Sequence, residues 1–574
     1  MSHQSKIFNS VPVDIPNRSA FDMSHENVGT LKVGTLTPVL VEELLPGDSV
    51  DLSHVMQVQL PPMATDFYGR VDLRLEAFFV PNRILWGGWQ NFITTPLSTP
   101  FSASPTTSYK LAVPSCYCSY DNFSSYCGPN SLMDYLGIKS SGTGSLSEDI
   151  NYYILNILPI LAYYKIYDDW YRNSNIQQPL FQPIGGGSSA SYLYALPTIA
   201  YSDNSGTAVY ELGVSTFADG TILGDLKQRN WERDYFTTAH LYPQANSSIA
   251  SATIIQDTTS LLSISQIRAA NVLQRWIERN NLAGTRYVDQ IQATFGVRPS
   301  DAIQDRPLYL GSSRFGVYNN SVYTQSGNSE TSNNPFSGLT ASESAACKGF
   351  GKDNLINNFR CDEHGYIFVI ASLVPHAYYA TGSRRYLQRH VSSDFANPLL
   401  QGLGEQPIFN WELSDYYFGV AAKYSSLSAI AADYSNVSNI AGTIAGDVTS
   451  SGYTSMLQNS TSNVFGYTQQ FADYKYHDDE IHGLLRDGQS LSSFVLSRAF
   501  SDESLDLSSE FIEIPTTAMD DVTAVTSALS DYGAWYDIAF NFKKISTLSE
   551  YVIPTLGDLK NTHIQNIPYN GTML

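Results

Sequence analysis

Between Val71 and Ala77 apolar and polar residues alternate without a break, as Val71-Asp72-Leu73-Arg74-Leu75-Glu76-Ala77. Successive side chains of a strand point to opposite faces, so this run predicts a strand with one dry and one wet face. It continues through Phe78-Phe79-Val80 and stops at Pro81, which has no N–H to give a sheet ladder. The same period returns far along the chain, where Tyr536, Ile538, Phe540 and Phe542 alternate with Asp537, Ala539, Asn541 and Lys543. Residues 366–374 are apolar on both faces, as a central strand is. Residues 33–45 read as a further strand that ends in the turn Pro46-Gly47-Asp48. Strands near both ends, with helical signals between them, predict one sheet system closed by distant segments.

The helical signals are fewer. Ser263 and Gln266 form a capping box ahead of Ile264, Ile267, Ala270, Leu273, Trp276 and Ile277 at helical spacing. Short helices are also expected at about 160–170, after Pro159, and at about 287–295, before Gly296. Stretches rich in Ser, Gly, Asn and Thr separate the patterned segments. Loops beyond roughly 12–15 residues are uncommon in compact domains. Their number here predicts one domain with strands at 33–45, 71–80, 366–374 and 535–543, decorated by long insertions at about 95–262, 315–360 and 425–463. The fold expected is mainly β: an eight-stranded antiparallel jelly-roll barrel, with long loop insertions containing a few helices.

Charged residues make up only 15% of the 574 and aromatic residues 13%. Few charges and many aromatics suit a surface covered by neighbours, and aromatics also favour strands. With 33 Lys and Arg against 54 Asp and Glu the formal charge is −21, which argues against the whole chain being a nucleic-acid binder. Two local basic clusters stand out, Arg384-Arg385 with Arg389, and Lys543-Lys544. Exposed charge or pairing with carboxylates is their plainer reading. Arg384, Arg385 and Arg389 are the candidates for facing DNA.

No catalytic constellation emerges. Gly-x-Ser-x-Gly, His-Glu-x-x-His and the Gly-Lys-Ser/Thr phosphate loop are absent. Gly349-Phe350-Gly351-Lys352 reads as a loop rather than a phosphate cradle. Cys116, Cys118 and Cys127 lack Cys-x-x-Cys spacing and a nearby His, so free thiols are expected rather than zinc. The run His477-Asp478-Asp479-Glu480-Ile481-His482 reads as a solvated turn before a divalent-cation site. No cofactor and no catalytic residue is predicted. The start of the chain shows no leader-type apolar stretch and the longest apolar run is too short to span a bilayer, so a protein made in the cytoplasm without membrane insertion is expected.

Several segments together resemble the major capsid proteins of microviruses, most of all their gokushovirus-like branch. Leu45-Pro46-Gly47-Asp48 is similar to the family's "PGD" turn, and Phe78 to Trp86, with Trp89 and Phe92, to "FFVPNRLLW..W..F". Ala162-Tyr163, then Ile166 to Asn173 and Asn175, resemble "AYN.IYNEWFRD.N". Arg233-Asp234-Tyr235-Phe236-Thr237 with Pro243-Gln244 resembles "RDYFT…PQ". Gly284 to Tyr287, Phe295 to Val297 and Arg306 to Gly311 follow "GTRY…HFGV…RPEYLGG", and Leu403 to Gln406 and Phe465 to Tyr467 follow "LGEQ" and "FGYQ". Their common order along the chain is what gives these short matches weight.

The resemblance implies a shell protein, not an enzyme. Its copies would assemble from pentamers into an icosahedral capsid around circular single-stranded DNA of a tailless phage. It implies a small basic DNA-binding capsid protein and a host surface receptor as further partners, and residence in the virion. The sequence departs from its relatives after Pro243-Gln244, where they carry a long insertion that builds a surface protrusion and this chain has about 18 residues before Ser263. The decoration is therefore smaller, or displaced to 317–345 or 425–463. A secreted carbohydrate-binding β-sandwich or adhesin is the alternative reading, and a glycoside hydrolase a third. The first lacks a leader and paired cysteines, and for the second no carboxylate pair can be named.

Overall fold

The alternating run is the strand Val71–Pro81, and nine strands of this kind make the body of the protein. The structure is a computed structural model. It describes residues 10–15, 18–61, 67–94, 113–140, 152–181, 201–202, 208–241, 305–320, 323–325, 341–343, 346–376, 378–389, 394–415, 464–501, 505–522, 533–548 and 563–568, with isolated positions between 268 and 301. The strands are β1 (Ser19–Asp22), β2 (His25–Leu31), β3 (Thr37–Leu44), β4 (Ser49–Gln59), β5 (Val71–Pro81), β6 (Leu308–Asn320), β7 (Ala346–Arg360), β8 (Gly365–Pro375) and β9 (Ala534–Ser546). Their order is β1-β9-β4-β7-β6-β5-β8-β3, with β2 also on β9. Every neighbouring pair is antiparallel.

The path divides between β7 and β6, which pair only through Tyr318–Asn320 and Ala346–Lys348. On one side lies a layer of β2, β9, β4 and β7, on the other a layer of β3, β8, β5 and β6. One core joins them: Val50, Leu52, Met56 and Val58 of β4 and Ile538, Phe540 and Phe542 of β9 pack with Leu73 and Leu75 of β5 and Ile367, Val369 and Leu373 of β8. The chain is thus mainly β, an antiparallel sandwich.

The two layers differ in what lies on their outer faces. Along β9 buried and exposed residues alternate, so its layer keeps a wet face. Phe350 of β7 and Val28 of β2 are each 71% exposed there. All eleven residues of β8 are buried. Its Tyr366, Phe368 and Ile370 join Phe78 and Val80 of β5 in a second core, shared with the insertion between β5 and β6. That insertion brings the helix Leu158–Ile166, with Pro159 in its first turn. The helix is apolar nearly all round, which is why it is buried rather than laid on the surface. It continues into a wider turn over Tyr167–Tyr171. A four-stranded sheet of Ser115–Ser119, Tyr152–Asn156, Tyr201–Ser202 and Ala208–Glu211 completes this layer. A third core, with Phe236, Ile408, Leu413, Phe465 and Phe511, belongs mainly to the insertion between β8 and β9.

Residues 315–360, read from sequence as an insertion, hold the end of β6 and all of β7, and Gly349 to Lys352 lie in β7 rather than in a loop. Gly351 has a packing reason: the ring of Phe315 lies over it, where a Cβ would fall 1.9 Å from that ring. The helices expected near 263–277 and 287–295 lie almost wholly outside the described residues.

Among the described residues one histidine is buried in the sandwich. His54 is 1% exposed, with Nε2 3.4 Å from the Ser313 hydroxyl and its ring edge-on to Phe315. Burial lowers its pKa from 6.5, against a smaller opposing pull from Asp353. A depressed folded pKa means that the unfolded chain takes up the proton first. The stability His54 contributes is complete above the unfolded value of about 6.5 and is lost as pH falls toward the folded one. Between pH 7 and 5 the melting temperature of His54→Met should therefore fall less than that of the natural chain; parallel curves would refute this.

Candidate functional site: the joints between sandwich and insertions

Several of the resemblance-bearing segments meet at the seams where the insertions join the sandwich; Pro243-Gln244, Gly284 to Tyr287 and Phe295 to Val297 lie outside the described residues. The Pro46-Gly47-Asp48 turn places the Asp48 carboxylate at 0% exposure, where it accepts from the Leu45 N–H at 3.0 Å and pairs with Lys544 at 3.1 Å. Gly47 has φ +92, a left-handed conformation that favours glycine. Lys544 of the C-terminal basic pair thereby tethers β9 to the β3–β4 turn. Arg83, after the strand-ending Pro81, pairs with Asp305 at 2.6 Å and Glu363 at 2.9 Å.

The densest joint stands on the outer face of β5. Glu76 alternates with the core residues Leu75 and Ala77, so it points away from the sandwich core. It accepts from the Tyr171 hydroxyl at 2.5 Å and from Arg229 at 2.7 Å, while Arg229 also donates to the Ser372 hydroxyl of β8 at 3.0 Å. Trp170 donates to the Pro307 carbonyl at 3.0 Å and lies under the Arg306 guanidinium at 4.7 Å. Tyr163, fully buried, donates to the Leu36 carbonyl and accepts from the Lys227 N–H, both at 2.8 Å. Asp234 accepts from the N–H groups of Phe236 and Thr237 and from the Tyr379 hydroxyl at 2.6 Å, which binds the two insertions together.

The three arginines proposed to face DNA sit in the second insertion with carboxylate partners. Arg384 pairs with Glu480 and, at 3.3 Å, with Asp478; Arg385 with Glu412 at 3.3 Å; Arg389 with Asp473, its guanidinium 4.0 Å from the Tyr474 ring centre. Their charge is internally matched, so a DNA phosphate would have to compete with these carboxylates. Burial pushes the Asp478 carboxyl up to about 7, against the pull of Arg384. Within the acidic run 477–482, Asp478 and Glu480 hold Arg384 and Asp479 lies 2.7 Å from His376, while His477, Asp479 and His482 stay exposed to solvent. Among the described residues no three His, Cys, Asp or Glu side chains are arranged to hold a metal ion. Cys116, Cys118 and Cys127 are free thiols buried in the second core, and burial pushes Cys116 up to about 12. No helix of the described residues is long and apolar enough to cross a membrane.

Sequence reasoning missed most of these partnerships. Glu76 and Arg229 are 153 positions apart, and nothing local marks either as buried.

Taken together, this is a β-sandwich in which several of the shared motifs fasten large surface insertions. Residues 9–186 and 203–556 match the sequence model of the phage capsid protein (F protein) family. The chain belongs to that family and is a major capsid protein of the microvirus type. It is similar to the capsid protein VP1 of Chlamydia phage 1, 26% identical with 96% of this chain and 97% of the relative covered. The capsid protein VP1 of Bdellovibrio phage phiMH2K is 25% identical over 90% and 91% of the two chains, and that of Spiroplasma virus 4 is 21% identical over 69% and 76%.

Proposed function

We propose that copies of this chain close, by way of pentamers, into a T=1 icosahedral shell around circular single-stranded DNA, as one capsid unit without catalytic activity. The observation that carries the shell reading is the strand arrangement. Numbered along the chain, strands 2, 9, 4, 7 form one layer and 3, 8, 5, 6 the other. Apart from β5 and β6, which share a layer, strands successive in the chain from β2 to β9 lie in opposite layers, in the way two Greek keys wind a jelly roll. A sandwich so wound has rigid walls, and its insertions supply the contacts between copies, which must close by symmetry. Exposed apolar side chains suited to such contacts concentrate in the second insertion, where Tyr386 and Leu387 are each 62% and Leu399 89% exposed.

A net charge of −21 cannot neutralise a genome. The reading therefore includes a small basic DNA-binding protein inside the shell, assembly in the host cytoplasm, and attachment of the finished particle to a host receptor through its outer loops. When the chain is produced with the basic protein of its own phage, purified particles should protect single-stranded DNA from nuclease; without that protein protection should largely disappear. Full protection by shells of this chain alone would overturn the need for the partner.

A further inference from the structure

At the end of the sandwich closed by the β3–β4 turn, alternation sends charged side chains inward. Along β9 the residues Phe540, Phe542 and Ser546 are buried, and Lys544 stands in the same series. Along β3, Glu42 falls between Leu40 and Leu44, both residues of the sandwich core. Asp48 follows the turn at 0% exposure, between the core residues Leu44 and Val50. Its backbone is fixed on both sides: the N–H donates to the Leu45 carbonyl at 3.0 Å and the carbonyl accepts from the Cys361 N–H at 2.8 Å. We propose that Lys544 and Asp48 join through an isopeptide bond that the folded chain forms on itself, with Glu42 as the carboxyl that moves the proton.

The amine and the carboxyl are already in contact. Lys544 Nζ lies 3.1 Å from Asp48 Oδ2, with the lysine side chain 11% exposed, and it donates to the Glu43 carbonyl at 3.1 Å. Oδ2 also accepts from the Leu45 N–H, whereas the buried Oδ1 has no hydrogen-bond partner among the described residues. A fully buried carboxylate with an orphaned oxygen is costly to keep charged. Passing the ammonium proton to the carboxylate turns the pair into a neutral amine and a carboxylic acid, which burial favours. One N–H held by the Glu43 carbonyl leaves the lone pair of that amine free for the acid's carbon, and the fold supplies the proximity. Glu42 is half-buried on the neighbouring strand. Burial raises its carboxyl above the ordinary value, against the pull of Lys544 and His25, so it holds a proton more readily than a solvated carboxylate.

In the step itself Lys544 Nζ attacks Cγ of Asp48 and a C–N bond forms. Glu42 takes the surplus proton from nitrogen and returns it to the departing oxygen, the C–O bond breaks and one water leaves. Carboxylate and ammonium thus become amide and water, with no change of oxidation state and no further reactant. The product removes two charges from a site of low polarity. It also ties the C-terminal strand β9 covalently to the β3–β4 turn, so that neither edge of that layer can peel away.

The test is the intact mass of the purified full-length chain under denaturing conditions, followed by tryptic digestion. The expected mass is that of the sequence less one water. The digest should contain a branched peptide joining the segment with Asp48 to the segment with Lys544, left uncut after Lys544. K544R, which keeps a cation beside Asp48 but has no amine to give, should show the full mass and no branched peptide. In pulse-labelled chains E42Q should slow the appearance of the branched peptide by about a hundredfold. A natural chain of unreduced mass would overturn the proposal, and this reading does not depend on whether a variant folds. So would loss of water without the branched peptide, the mark of a succinimide at Asp48, and so would a branched peptide formed by E42Q at the natural rate.

Discussion

Glu76→Ala is expected to destabilise the folded chain by about 3–5 kcal/mol, because it strands a buried guanidinium. Arg229 is 13% exposed and has Glu76 as its carboxylate partner. Burial alone would lower the Arg229 pKa, yet Glu76 and Tyr171 hold it above its ordinary value, so the charge persists. Without Glu76 that charge stays in the seam with the Ser372 hydroxyl and the Tyr171 ring face but no carboxylate, and the Tyr171 hydroxyl loses its acceptor. The loss should show as a large fall in melting temperature or in soluble yield. The double variant Glu76→Ala with Arg229→Met should recover much of it, since replacing a buried ion pair by apolar groups is often close to neutral. A single variant that melts with the natural chain would show that the joint does not fasten the insertion.

The second large effect concerns the unequal layers. Phe368 of β8 is 0% exposed and faces the second core, so Phe368→Ala should cost about 3–5 kcal/mol through lost burial and an unfilled cavity. Phe350 of β7 is 71% exposed on the other layer, and Phe350→Ala should change stability by less than about 0.5 kcal/mol. Thermal unfolding of the two variants side by side reads the difference. Equal losses would mean that the bare face is covered in the isolated chain.

How much of this was legible in the sequence depended on range. Period-two patterning exposed β5 and β9, and an unbroken apolar run exposed β8, because burial on one or both faces writes itself into consecutive residues. β7 was hidden: in Gly349-Phe350-Gly351-Lys352 glycine stands where Phe315 needs room, and the wet face carries Lys and Asn, so the strand reads like a loop. Arg384, Arg385 and Arg389 looked like a basic patch because Glu412, Asp473, Asp478 and Glu480 lie up to 96 positions away. The shared motifs were visible as strings, but their work as joints was not. A hydrogen bond from Tyr171 to Glu76 joins residues 95 positions apart and has no local signature.

The most direct measurement is electron microscopy of the purified full-length chain, produced with its phage assembly partners and fractionated by sedimentation. Closed, uniform icosahedral particles, with pentamers as the smaller species, are the predicted result. A population that stays monomeric and forms no particles even with those partners would contradict a shell-building role.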